Sequence, residues 1–243
     1  MKTKFTLVII LSFLLISTSI VFVMMNQSNV SDENTSNETP DDLPSLTAMQ
    51  TEAYVKTINE FSFNFFEQLY QNPSMEDNLF YSPYSVFTAL AMTYEGSFGN
   101  TANEMADTLI IPQDNNTFHE YVSTLYKTLN TNTDYNISTA NALWIKENYP
   151  LLGDYLNTVE TYYHAESNPI DFSKPNHAAD IINSWVENKT NNLIKDLISP
   201  DNIDPTLTRL ILTNAIYFKG IWKIQFDEAN TTNRSFNLGN GET

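Results

Sequence analysis

The chain has 243 residues, 42% of them hydrophobic and 13% aromatic, enough apolar material for one large domain or two small ones and too much for a chain disordered as a whole. A formal net charge of −17 and a pI of about 4.3 set it against nucleic-acid phosphates and anionic lipid headgroups, so no nucleic acid is expected among its partners and solubility is the simplest use of the charge. Cysteine is absent, which removes disulfides, zinc–thiolate sites and thiol nucleophiles without deciding the compartment.

The N-terminus decides it. Lys2 and Lys4 precede Phe5 to Met25, 21 residues without a charge. As a helix this run covers about 31 Å, close to the thickness of a hydrocarbon core. The lysines are expected to stay cytoplasmic while the rest is exported. Residues 1–25 therefore read as a signal-anchor, which gives membrane contact through residues 5–25 and an extracellular or cell-surface location. A cleaved signal peptide is the alternative, and its small-x-small site is poor: Ser17, Thr18 and Ser19 lie inside the run, and Val23, Met24 and Met25 end it. Residues 26–52 are polar, with Pro40 and Pro44, and read as a solvated tether. Asn-x-Ser/Thr triplets start at Asn26, Asn29, Asn34, Asn37, Asn115, Asn136, Asn188, Asn230 and Asn233, a pattern that an Asn-rich chain also produces by chance.

Ordered structure is expected from about Ala53, and 53–243 is read as one domain. Tyr54, Ile58, Phe61, Phe65 and Leu69 recur at helical spacing and stop at Asn72-Pro73. Asn78 to Tyr81 reads as a short strand. Ser82-Pro83 reads as a cap and first helical residue, opening a helix apolar nearly all round from Tyr84 to Tyr94 and stopping near Gly96. Two capping boxes, Thr101-x-x-Glu104 and Thr117-x-x-Glu120, predict further helices; the first ends near Ile111-Pro112 and the second carries Phe118, Tyr121, Leu125 and Leu129 on one face. Ile137 to Ile145 is a predicted strand. After Pro150, Leu152, Tyr155, Val159 and Tyr162 form a helix face, Asn168 to Phe172 a second strand, and His177 to Lys189 a helix bearing Ile181, Ile182, Trp185 and Val186. A connection broken by Pro200 and Pro205 leads to Arg209 to Lys219, the strongest strand, whose apolar run predicts a central position covered on both faces. Early helices and later strands give an α+β pattern without a 20-to-50-residue repeat.

Enzyme signatures are missing: no G-x-S-x-G elbow, P-loop, G-x-G-x-x-G or H-E-x-x-H occurs. His119, His164 and His177 lack a second histidine at i+3 or i+4 and read as surface residues. Asp227-Glu228 reads as a solvated strand edge. No catalytic residue, metal or cofactor is assigned.

Three segments point further. Asn214-Ala215-Ile216-Tyr217-Phe218-Lys219-Gly220-Ile221-Trp222, followed by Phe226 and Thr231, closely resembles a signature of the serpins. Asn78-Leu79-Phe80-Tyr81-Ser82-Pro83-Tyr84-Ser85, followed by Leu90, Gly96, Thr101 and Leu109, resembles a second. Ile182-Asn183-Ser184-Trp185-Val186, then Lys189-Thr190, Ile194 and Leu197, resembles a third, and all three stand in the family's order. The resemblance covers about Ala53 to Thr243 and implies the N-terminal helices and first strands of a large central sheet, an incomplete serpin fold. It implies that the helix at His177 packs across the front of that sheet and the helix at Tyr84 behind it. Ser82, Ser85 and Asn214 match positions where the central strands part, and Trp222 one at the top where insertion begins; these are conformational residues. Their ordinary readings are a helix cap, a small polar first-turn residue, a strand hydrogen bond and a core tryptophan.

A serpin offers an exposed loop as bait to a serine protease, or to a cysteine protease, and after cleavage the loop enters the sheet as a new strand. The inhibitor is not an enzyme. The family's reactive-centre loop lies beyond the C-terminal end of this chain, so inhibition is expected of a longer protein and not of these 243 residues alone. The alternatives are a non-inhibitory binding or storage module, or a truncated remnant.

Overall fold

A computed structural model describes residues 48–71, 79–112, 115–131 and 135–237. Its helices are α1 (Ala48–Tyr70), α2 (Pro83–Tyr94), α3 (Asn100–Leu109), α4 (Asn115–Asn130), α5 (Gly153–Tyr163) and α6 (Pro175–Lys189). Its strands are β1 (Tyr135–Lys146), β2 (Ala165–Ile170) and β3 (Leu210–Gly220). The anchor and most of the tether expected from the sequence lie outside the described residues. Among the described helices none is long and apolar enough to cross a membrane.

The strands form one sheet in the order β2-β1-β3, with β1 parallel to β2 and antiparallel to β3. Side chains alternate between the faces of a strand, and the alternation on β1 and β3 separates two cores. Leu143 and Leu212 point to one face, where they meet Phe61 of α1, Phe87 and Met92 of α2, Phe118 of α4 and Val159 of α5. Ala142, Trp144 and Ile211 point to the other and pack under Ala178, Ala179 and Ile182 of α6. Helices α2 and α6 therefore lie on opposite faces, as the family resemblance implied. Helix α2 is apolar all round because it is enclosed all round, with Val86, Phe87, Ala89, Ala91 and Met92 all buried.

Several local expectations are corrected. Among the described residues β1 holds the centre of the sheet and β3 pairs only with β1. Its apolar run reflects cover on both faces at Ile211 to Ala215, not pairing on both edges. Leu79 to Tyr81 form no strand, having no ladder partner among the described residues, and Asn78 lies outside them. Neither capping box opens its helix. Gly99, at φ 62, leads into α3, placing Thr101 one residue inside; α4 has already begun at Asn115. Leu152 precedes α5 and is exposed, while Tyr163 closes the buried face. Asp227 caps a 3₁₀ turn at Glu228–Asn230 by accepting from the Ala229 N–H at 2.9 Å, so the acid pair sits on a turn, not a strand.

Candidate functional site

The feature with most capacity for recognition is the outer edge of β3. A cleft of about 340 Å³ opens there between three pieces of chain. Phe80, Ser82 and Ser85 come from the start of α2; Thr190, Leu193 and Ile194 from the connector after α6; Ile216, Tyr217 and Phe218 from the second half of β3.

Ser82 is extended at φ −113 and ψ 102, and its Oγ accepts from the Ser85 N–H at 3.3 Å. Pro83, whose missing N–H would have been unsatisfied anyway, fixes the first helical φ. Ser85 is buried and small, which lets the first turn of α2 approach the strand. Tyr81 holds this entry in place by donating its hydroxyl to the Ser62 carbonyl of α1 at 3.2 Å.

Asn214 stands two residues before Ile216, on the face that meets α2. Directly opposite in the ladder is Asn141 of β1. The Asn214 amide donates to Asn141 Oδ1 at 2.7 Å, and the Asn141 amide donates to the Tyr163 carbonyl at the end of α5 at 2.7 Å. Both asparagines are about 2% exposed, yet Asn214 Oδ1 has no donor, and neither does the Oγ1 of Thr139 two residues from Asn141. A polar layer thus crosses an otherwise apolar core with acceptor capacity unspent, an expensive arrangement unless another group completes it.

The structure gathers Ser82, Ser85 and Asn214 around β3. Trp222 is elsewhere: it lies past the end of the strand, 72% exposed, and meets Phe226 edge-on with ring centroids 6.2 Å apart.

The histidines also depart from expectation. His119 is partly buried, 3.0 Å from Glu95 Oε2 and stacked on Tyr162 at 4.4 Å. The other Glu95 oxygen accepts from the Tyr163 hydroxyl at 2.7 Å, and burial, then the Glu95 charge, hold that phenol well above its usual range. This hub ties the ends of α2 and α5 to α4. His164, left-handed at φ 51, stacks on Tyr126 at 4.2 Å; burial, then the Lys127 charge, push its pKa down. Of the three, His177 alone is exposed. Among the described residues no three or more His, Asp or Glu gather as a metal site.

Sequence reasoning passed over Asn141 and Glu95. An asparagine in the middle of an apolar strand was a visible signal for the first. Nothing local marked the second, whose partners lie 24 and 68 residues away.

Chemically, the cleft offers backbone rather than side-chain reactivity. An unpaired strand edge presents a row of N–H and C=O groups, a template for another extended chain.

The model of one protein family, Serpin (serine protease inhibitor), matches residues 56–243. An uncharacterized serpin-like protein of Methanosarcina acetivorans is 39% identical over 186 residues, covering 76% of this chain and 43% of that protein. Emu (Dromaius novaehollandiae) ovalbumin superposes with a TM-score of 0.71 at 29% identity, covering 76% of this chain and 51% of that one. A loop-inserted structure of a cleaved ovalbumin mutant gives a TM-score of 0.70 at 30% identity, covering 76% and 52%. The chain spans about half the length of the relatives it matches.

Proposed function

The chain belongs to the serpin family, and from that premise we propose that it is the sheet-bearing N-terminal part of a protease inhibitor whose bait loop inserts beside β3. In the whole protein the target serine or cysteine protease attacks the loop, and the freed strand pairs with the outer edge of β3. The bond chemistry is the protease's own. This chain contributes the receiving edge, and backbone pairing plus burial of the new strand supply the driving force. What supports this reading is that, among the described residues, β3 is covered on both faces from Ile211 to Ala215, pairs with β1 along one edge, and has the cleft along its second half. The solved neighbour described as loop-inserted shares this fold at 30% identity.

Ser82, Ser85 and Asn214 serve insertion conformationally in this reading. Small capped serines let α2 sit close to the strand without a bulky side chain, and Asn214 can adjust its pairing because one of its acceptors is unused. Trp222 marks the exposed end of the strand where insertion starts. The protein acts outside the cell, held by residues 5–25.

The test is direct. The whole protein is mixed with a panel of serine and cysteine proteases and run on denaturing gels. An inhibitor of this kind gives a protein–protease adduct that survives boiling in detergent. Cleavage with no adduct for any protease in the panel would overturn the inhibitory reading in favour of a non-inhibitory module.

A further inference from the structure

One wall of the β3 cleft is not part of the sheet. It is the connector that leaves α6, and it stands where an added strand would run. Asn191 and Asn192, both left-handed at φ 50 and 63, turn the chain there. Thr190 welds the turn to the helix: its hydroxyl donates to the Val186 carbonyl at 2.7 Å and accepts from the Ile194 N–H at 3.1 Å. The connector therefore moves only if the end of α6 moves with it. A strand entering beside Ile216 to Phe218 has to displace Thr190, Leu193 and Ile194 first.

What holds the end of α6 is a clamp from the opposite side of the sheet. Glu166 lies on β2, in register with Ala142 and hence on the α6 face. Each of its carboxylate oxygens is engaged: Oε2 accepts from the Trp185 indole N–H at 2.8 Å and Oε1 from the Lys189 ammonium at 2.7 Å. The ammonium also sits 5.4 Å above the Trp185 ring, and Trp185 packs edge-on against Trp144 in the core beneath. Burial alone would raise the Glu166 pKa, but the two hydrogen bonds and the Lys189 charge outweigh it and hold the carboxyl below its usual range. The ion pair is half-exposed, so it is weak enough to open.

We propose that Glu166 is a positioning residue for strand insertion: through Trp185 and Lys189 it holds the end of α6 and its connector across the β3 edge, and so sets how fast that edge accepts a new strand. The proposal rests on the insertion reading above. It separates stability from rate, since breaking a clamp absent from the inserted state opens the edge more readily without changing what finally binds there.

The experiment uses the whole protein and a synthetic peptide copied from its own bait loop. The rate of peptide annealing is measured alongside hydrogen exchange of the backbone amides of residues 186–194. Glu166→Gln keeps the shape and removes the charge; Lys189→Met removes the other partner and serves as a second variant should the first fold poorly. Each is expected to raise exchange in 186–194 and to speed annealing about two- to five-fold, the range for one half-exposed ion pair. The double variant should add nothing beyond either single one. Salt near 1 M should speed the natural protein and leave the variants almost unchanged. Unaltered annealing rates in both variants, with the natural protein annealing normally, overturn the clamp. If the natural protein accepts no peptide at all, the insertion reading itself fails and the clamp's role goes with it.

Discussion

The asparagine layer makes a quantitative demand. A single hydrogen bond joins Asn214 to Asn141, so truncating either partner breaks the same contact. The unsatisfied atoms break the symmetry. Asn214→Ala strips the donor from Asn141 Oδ1, which costs about 1–3 kcal/mol for a buried orphan, but it also deletes an acceptor that is already orphaned and so removes a penalty of the same size. The two nearly cancel, leaving a small cavity term and a net loss of about 1 kcal/mol. Asn141→Ala has no such relief. It leaves both polar ends of Asn214 unpaired and takes the side-chain donor away from the Tyr163 carbonyl, for a loss of about 3–4 kcal/mol. Urea unfolding of the two variants should show Asn141→Ala less stable than Asn214→Ala by about 2 kcal/mol at unchanged m-value. Equal losses, or a larger one for Asn214→Ala, would refute the assignment of Asn214 Oδ1 as an unspent acceptor.

Two further outcomes follow from backbone and charge. Gly99 enters α3 at φ 62, where an added Cβ meets no atom within 4 Å, so Gly99→Ala should cost only the conformational term of about 1–3 kcal/mol; an unchanged unfolding midpoint would contradict the left-handed entry. Burial first, and Lys127 second, lower the folded pKa of His164 from its ordinary 6.5, so on acidification the unfolded chain takes up the proton first. That penalty is absent above the unfolded value and grows as pH falls from it toward the folded one. His164→Asn, which tolerates φ 51, should flatten the fall in stability as pH drops below the ordinary histidine value; an unchanged slope would place the titration elsewhere.

Much of the architecture was legible because burial writes itself into period. The three-and-four spacing of Tyr54, Ile58, Phe61 and Phe65 became the buried face of α1, and the all-round apolar stretch from Tyr84 became the enclosed α2. Ser82-Pro83 was readable as a start because capping is local. The two Thr-x-x-Glu patterns misled for the same reason: a local motif competes with neighbours that begin the helix earlier, Gly99 in one case and Asn115 in the other. The pairing of β3 was not legible because hydrophobicity reports covered faces and is silent about paired edges. The Asn141–Asn214 pair and the Glu95 hub depend on register and on contacts far apart in sequence, which no window along the chain contains. Trp222 was singled out through the family signature, yet its exposed position past the strand could not be read from a motif.

The central claim is that the outer edge of β3 receives a strand. It is tested most directly by cleaving the bait loop of the whole protein with a non-target protease and following thermal unfolding together with hydrogen exchange along residues 210–220. If the edge receives the loop, cleavage raises the unfolding temperature and protects the β3 amides that face away from β1. Cleavage that leaves both the unfolding temperature and β3 exchange unchanged would contradict the account.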